Sequence, residues 1–512
     1  MVCFIWHLMK RNMLPFCKYW FVICLLIPWN LLQSVNAQPK LSKKHFRKAI
    51  ERFVGDDLLN NASVSIQFTF LKTKTKLAAV DENRALIPGS IIKLIPCKFM
   101  LDTMGELYTY KTPFYLRAHP SANGQNEYSV WVKGSGDPSF CSLKFGLPIS
   151  LDSLSRNLAD ALKKENVHAL ERGIEINEDW MEDLPENPEW LYYDLGNYYG
   201  GGCRALNFQE NEFDVVIYPA SSEGNICPIK WNNWDYHPDA FLSKIVGVRG
   251  DPTGEIFVLG SSGESNRKIF GEWKIQSNDS TRIRVSMNQP SREFQIGLSR
   301  LLSQSGIRMA EDSVYNKMSI DSKHSQRLIL EVVSPPAQEL VKRALEKSVN
   351  LYCESFLYKL TERWTKGTQR EHGLNILENY LAQQLGSDLT LDMKDGSGLS
   401  PKNLISASTM CKFLSGNQKT VSQNYYFRYL SDIHTTGSLK KYLKPKKNVN
   451  RFIYAKTGSM ERVRAFAGYL VEDNVPVVAF VIMVNNFQCI GSALQEKFAV
   501  LFDHLMDVKL DK

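Results

Sequence analysis

Ser90 stands three residues before Lys93 in IPGSIIKLIPCKFML (residues 87–101), at the mouth of an apolar run. A serine hydroxyl is a poor nucleophile until a base removes its proton, and a neutral lysine one helical turn away is such a base. Two more sets follow along the chain: Ser348 and Asn350 in KSVNLYCESF, then Lys456-Thr457-Gly458 in YAKTGS, with Ser459 next. Together they would supply a nucleophile, a base, polar groups for an amide and its leaving amine, and a cation for a carboxylate. That is the equipment of acyl transfer at a serine. Singly, each set is weak. Ser-x-x-Lys recurs at Ser265/Lys268 and Ser438/Lys441, and Ser-x-Asn at Ser121/Asn123, Ser286/Asn288 and Ser415/Asn417. Taken alone, Ser90 and Lys93 read as a helix cap and a surface lysine, Ser348 and Asn350 as polar helix positions, and Thr457-Gly458-Ser459 as a strand end.

The elements around these residues give them weight. Ser90 opens an apolar helix in which Pro96 removes one backbone donor and is expected to kink the chain after Lys93. Residues 41–54 read as an amphipathic helix and 62–71 as an alternating strand. From about 106 to 323 the texture is rich in Gly, Pro and aromatics with short strand-like runs. SREFQIGLSRLLSQSGI reads as one helix within it. From SPPAQELVKRALEKSVNLYCESFLYKLTERW the chain is helical, with Ser348 and Asn350 inside the helical segment. After 450 it returns to strands (RFIYAKTGSM, VRAFAGYLVE, VPVVAFVIMV), then a final helix at 491–507. Strands and helices at both ends predict one discontinuous domain, 38–105 plus 324–512, around a β-rich insertion, 106–323, of two subdomains.

A chain of 512 residues with 44% hydrophobic and 23% charged residues is globular. Residues 1–37 combine Lys10, Arg11 and Lys18 with YWFVICLLIPW and a small-residue site at Val35-Asn36-Ala37, a secretory leader cleaved after Ala37. An uncleaved anchor is the alternative. Either way the body lies outside the cytoplasm. Loss of the leader lowers the formal charge from +8 to +5. So mild a charge does not call for nucleic acid and is compatible with peripheral association with a cell wall or membrane. Seven cysteines remain, with no zinc spacing. Cys97 and Cys353, in apolar helical patterns, read as buried free thiols.

The order S-x-x-K, S-x-N, K-T-G resembles the penicillin-recognising serine enzymes. PGSIIKL, GSGDPSF, DLGNYYGGGCRALNFQEN, KSVNLYCESF, DGSGLS and YAKTGS together resemble one branch. This is the class C low-molecular-mass penicillin-binding proteins, the D-alanyl-D-alanine carboxypeptidase/endopeptidases of the PBP4 type. The likeness runs from about residue 45 to the C-terminus, and the long gap between Ser90 and Ser348 suits that branch. It implies an α+β fold, a β-lactamase/transpeptidase-like domain with a central antiparallel sheet flanked by helices and a large insertion. It implies Ser90 as nucleophile, Lys93 as base, Ser348 as proton relay and Asn350 as the group that holds the substrate amide and orients Lys93. Lys456 and Thr457 would bind the terminal carboxylate and Gly458 would let the substrate backbone approach. Ser459 would share an oxyanion hole with the Ser90 N–H. The substrates would be peptidoglycan stem peptides ending in D-Ala-D-Ala and cross-bridges, in the periplasm of a bacterial envelope. β-Lactams would acylate Ser90, and no metal or organic cofactor is required. Val349 stands where the family often has aspartate, with little loss expected. DGSGLS reads as a structural loop near the cleft, Glu354 as a helix anchor and WLYYDLGNYYGGG as packing for the insertion. A β-lactamase or esterase on the same fold and a catalytically silent peptidoglycan binder remain the alternatives.

Overall fold

The computed structural model describes residues 42–509 except 122–123, 146–149, 182–183, 232–240, 262–263, 265, 276–279, 310–324, 365–368, 417–425 and 433–449. The expected leader lies outside the described residues. Helix α1 (Lys43–Val54) starts at Ser42, whose hydroxyl accepts from the His45 N–H, and turns Phe46, Ile50 and Phe53 inward. Strands β1 (Ser63–Phe70) and β2 (Lys76–Val80) follow, then helix α2 (Leu94–Met104). After the insertion come α3 (Ala337–Glu346), α4 (Asn350–Trp364), α5 (Ala407–Ser415) and the short β3 (Ser431–Asp432). Strands β4 (Arg451–Met460), β5 (Val463–Glu472) and β6 (Val475–Asn485) lead to the closing helix α6 (Gly491–Met506).

The six strands form one antiparallel sheet in the order β3-β4-β5-β6-β1-β2. The first and last segments of the chain therefore pair side by side, with Ile66 opposite Ile482. Side chains alternate across a strand, so an unbroken apolar run such as VPVVAFVIMV must bury both of its faces. It does. Val478, Phe480, Ile482 and Val484 pack with α1 and α6, while Ala479, Val481 and Met483 face α2, α4 and α5. Helix α2 is buried all round, from Leu94 to Leu101, as an apolar helix at the centre of a helical layer must be. This is the expected α+β architecture.

The insertion leaves after α2. Strands at 111–120, 126–133, 174–177 and 326–333 make a four-stranded sheet against helices Leu151–Lys164 and Pro290–Gln304. A second hydrophobic cluster, built on strands 212–217, 241–248 and 267–274, lies within the insertion. Residues 326–333, expected on the catalytic side of 324, pair with 111–120 from Gln326–Arg117 to Val333–Lys111. Their backbone groups need a sheet partner, and the nearest strand belongs to the insertion. Glu210 clamps the insertion to the helices: its carboxylate accepts from Arg343 Nε and Nη2, both at 2.6 Å, and from the Tyr352 hydroxyl at 2.8 Å.

Candidate active site

Ser90 sits in a tight 3-10 turn, Gly89–Lys93, that runs straight into α2. Ser90 therefore precedes the α-helix by one turn instead of opening it. Gly89 adopts φ +52°, and Gly398 (φ +79°) lies so close that a Cβ there would fall 2.1 Å from the Gly89 carbonyl oxygen. Pro96 falls in the first turn of α2, where the chain has just passed from 3-10 to α geometry. Lys93 still reaches Ser90.

Lys93 is fully buried. Its ammonium nitrogen lies 2.9 Å from Ser90 Oγ and 2.6 Å from Asn350 Oδ1, and it also donates to the Ser397 carbonyl. The amide and carbonyl oxygens only accept. A hydroxyl both accepts and donates. When Lys93 loses a proton, its two remaining N–H bonds serve Asn350 and Ser397, and its lone pair is left facing the Ser90 hydroxyl. Burial pushes the Lys93 pKa below its ordinary value, against the opposing pull of Cys353, Asp395 and Glu354.

Ser348 and Asn350 do not lie within one helix. Helix α3 ends at Glu346, Ser348 takes the left-handed conformation (φ +58°), and α4 begins at Asn350. On a continuous helix, residues two apart face away from each other. The break lets Asn350 Oδ1 meet Lys93 while Ser348 Oγ lies 2.9 Å from Lys456 Nζ. Val349 packs against the hydrophobic core between them. Lys456 also donates to the Thr457 carbonyl at 2.8 Å. Burial first, then the Lys93 cation, lowers Lys456 to about 7.

Lys456, Thr457, Gly458 and Ser459 lie on β4, paired with β5 from Lys456–Ala467 to Ser459–Arg464. On the other edge, among the described residues, β3 pairs with Ala455 and Tyr454. A Cβ on Gly458 would stand 2.3 Å from the Pro88 carbonyl oxygen and 3.1 Å from the Ser90 nitrogen, and one on Gly89 would stand 3.3 Å from the Ser459 nitrogen. Only glycines permit this approach. It holds the Ser90 turn against β4, with the Ser90 nitrogen beside Gly458 and the Ser459 nitrogen beside Gly89. Hydrogen bonds thus join Ser90, Lys93 and Asn350 in one set and Ser348 and Lys456 in another, while Gly458 and Ser459 abut the Ser90 turn and Thr457 stands between Lys456 and Gly458 on β4.

Three contributors were missed by the sequence reading. The Ser397 carbonyl, in DGSGLS, is a direct partner of Lys93. Asp395 beneath it accepts from the N–H groups of Gly398 and Ser400, both at 2.6 Å, and from Asn403 Nδ2 at 2.9 Å. Glu354 accepts from the Gly396 N–H at 3.1 Å and lies 3.8 Å from Arg370, so it anchors this loop as well as its helix. Burial and then Asp395 raise it to about 7. The third is the aromatic segment of the insertion. The Tyr199 carbonyl accepts from Asn350 Nδ2 at 2.8 Å, and Trp190 Nε1 donates to Asp395 at 2.8 Å. Tyr192, Tyr193 and Tyr198 are exposed. This segment therefore holds Asn350 and Asp395 and is not packing alone. Backbone carbonyls carry no side-chain signature, and an Asp-Gly-Ser-Gly turn explains its own glycines. The repeated aromatics were the one available signal. Among the described residues no group of three or more His, Cys, Asp or Glu is arranged to hold a metal ion, and no helix is long and apolar enough to cross a membrane.

Known proteins resemble this chain along most of its length. The chain is 25% identical over 514 residues to penicillin-sensitive carboxypeptidase A of Dictyostelium discoideum, covering 92% of this chain and 95% of that one. It is 21% identical over 460 residues to a D-alanyl-D-alanine carboxypeptidase of Actinomadura sp., covering 87% and 82%. The fold matches the crystal structure of penicillin binding protein 4 (dacB) from Haemophilus influenzae with a TM-score of 0.71 at 17% identity, over 89% of this chain and 99% of that one. The model of the D-Ala-D-Ala carboxypeptidase 3 (S13) family matches residues 46–504. A match over nearly the whole length, on a chain that folds in this way, establishes that the protein belongs to the D-Ala-D-Ala carboxypeptidase 3 (S13) family of serine-type peptidases.

Proposed function

We propose that this S13 carboxypeptidase works through an acyl-enzyme on Ser90, formed with neutral Lys93 as general base. The observation that carries the reading is the set of Lys93 partners: two fixed acceptors and one hydroxyl that can reverse its hydrogen bond. Lys93 takes the Ser90 proton as Oγ attacks the carbonyl of the penultimate D-Ala of a stem peptide. The Ser90 and Ser459 N–H groups hold the oxyanion. Ser348, fed by Lys456, passes a proton to the departing amine, and D-Ala leaves. Water then cleaves the Ser90 ester. Lys456 supplies positive field and, with Thr457, holds the peptide carboxylate, while Gly458 lets the peptide backbone lie along β4. Asn350 holds the substrate amide and keeps Lys93 in place.

A D-Ala-containing cross-bridge in the same position gives endopeptidase cleavage by the same steps. β-Lactams acylate Ser90, in keeping with the penicillin-sensitive relative and with the Haemophilus influenzae homologue crystallised with a β-lactam. The body of the protein acts in the periplasm, released from its leader after Ala37. Its catalytic domain comprises residues to about 105 and from about 334, and the insertion between them forms two subdomains.

Release of D-Ala from a peptide ending in D-Ala-D-Ala, measured beside penicillin hydrolysis, tests this reading. Steady D-Ala release with slow penicillin turnover is expected. Rapid penicillin hydrolysis without peptide cleavage would make the protein a β-lactamase, and inertness to both would make it a binder.

A further inference from the structure

We infer that Cys97 and Cys353 close into a disulfide that ties helix α2 to helix α4 directly beneath the catalytic lysine. The inference rests on the export proposed above, because such bonds persist in oxidising compartments. Both thiols are wholly buried, and their sulfurs lie 3.7 Å apart although the residues stand 256 positions apart in the chain. Cys97 lies four residues after Lys93, and Cys353 three residues after Asn350. Residues so spaced share a helix face. The sulfur contact therefore continues the seam that the Lys93–Asn350 hydrogen bond begins. A disulfide needs its sulfurs about 2.0 Å apart, a modest approach for two side chains already in contact on packed helices.

The chemistry balances with a disulfide as oxidant, either glutathione disulfide or the active-site disulfide of a thiol oxidase. One cysteine thiolate attacks it, giving a mixed disulfide and one thiol. The second cysteine displaces the other thiol, so the two cysteines lose two protons and two electrons, which the oxidant takes up. Burial holds the Cys97 thiol protonated, well above its ordinary pKa. The exchange therefore belongs to folding, before α2 and α4 exclude solvent, and the finished bond is then sealed from reductants. It would close a loop that contains the whole insertion, and long loops restrict the unfolded chain most.

The test is to refold the full-length protein in a glutathione redox buffer, check an aliquot for reaction with penicillin, denature the rest, alkylate free thiols without reduction, digest it and map the peptides. The expected result is a Cys97–Cys353 cross-linked peptide, lighter by two hydrogens than its two halves, in protein that still reacts with penicillin. It is absent from Cys353→Ala. Reduction after unfolding, followed by refolding without oxidant, should lower Tm by several degrees in the wild type and leave the Cys97→Ala/Cys353→Ala double variant unchanged. Alkyl label on both Cys97 and Cys353 in penicillin-reactive protein would overturn the proposal. If the variants fail to fold, the wild-type peptide map decides alone. The buffer supplies the oxidant, so the outcome does not depend on export, which the N-terminal sequence of secreted protein reads separately.

Discussion

Two serine–lysine pairs meet in the cleft, and they are built in opposite ways. Ser90 and Lys93 are three residues apart on one turn, held by local geometry that any helical start would give. Ser348 and Lys456 are 108 residues apart and meet only because a left-handed break between two helices faces the β4 strand. The lysines differ in the same sense. Lys93 donates to two groups that cannot reverse, Asn350 Oδ1 and the Ser397 carbonyl, and its remaining partner is a hydroxyl. Lys456 has a hydroxyl and a strand carbonyl. The local pair is poised to exchange a proton with its serine. The distant pair is poised to hold charge and pass a proton on. The comparison teaches that nearness alone does not assign a base; the direction in which the other hydrogen bonds must run does.

Removing the base should break the comparison most severely. Lys93→Ala is expected to slow acylation by penicillin about 10²–10⁴-fold. Lys93→Arg should not rescue it, because a guanidinium does not give up its proton. Stopped-flow acylation rates check both, and a rate within a few-fold of wild type in either variant would remove Lys93 from the base role. Gly458→Ala comes next. Its Cβ would stand 2.3 Å from the Pro88 carbonyl oxygen, so β4 must withdraw from the Ser90 turn. Overpacking of this kind costs about 1–3 kcal/mol, and the acylation rate should fall together with Tm. Ser348→Ala should have a smaller effect, about 10-fold on peptide kcat/KM at the low end of what a proton-relay group supplies. It should spare penicillin acylation more than peptide cleavage, because a β-lactam nitrogen leaves without departing from the site. Equal losses on both substrates would argue against a relay to the leaving amine.

The smallest expected effect concerns pH. Lys456 is lowered to about 7 in the folded protein by burial and by Lys93. The unfolded lysine titrates near 10.4. Between these values the unfolded chain binds the extra proton, so stability rises with pH across that window and the contribution is flat below it. Lys456→Met should flatten the rise in Tm between pH 7 and pH 10. A wild-type rise that persists unchanged in the variant would assign it to another group. In activity the sign is opposite: a catalytic role for the Lys456 cation predicts a falling limb above about pH 7, absent from the variant's residual rate.

What the sequence made legible follows from the same contrast. Ser90–Lys93 could be read because three-residue spacing on a turn has one spatial meaning. The sheet could be read because FIYAKTGS, FAGYLV and VVAFVIMV need partners on both faces, and the first strand joins them by the same logic. The meeting of Ser348 with Lys456 was legible only through the order of the motifs, since no spacing rule links a helix break to a strand. The break itself was missed because KSVN carries no glycine or proline, and Ser348 takes φ +58° without either. The Ser397 and Tyr199 carbonyls were out of reach, for any residue has a carbonyl and only the fold aims it. The pairing of QRLILEVV with residues 111–117 was not legible, because a strand carries nothing local to say whose sheet it joins.

The central claim is that Ser90 is the nucleophile, and a labelled penicillin tests it most directly. The mature protein is mixed with the drug, digested, and the modified peptide located by mass spectrometry, with Ser90→Ala alongside. A persistent adduct on the peptide that carries Ser90, missing from the variant, is the predicted result. An adduct on another serine, or one that survives Ser90→Ala, would contradict the assignment.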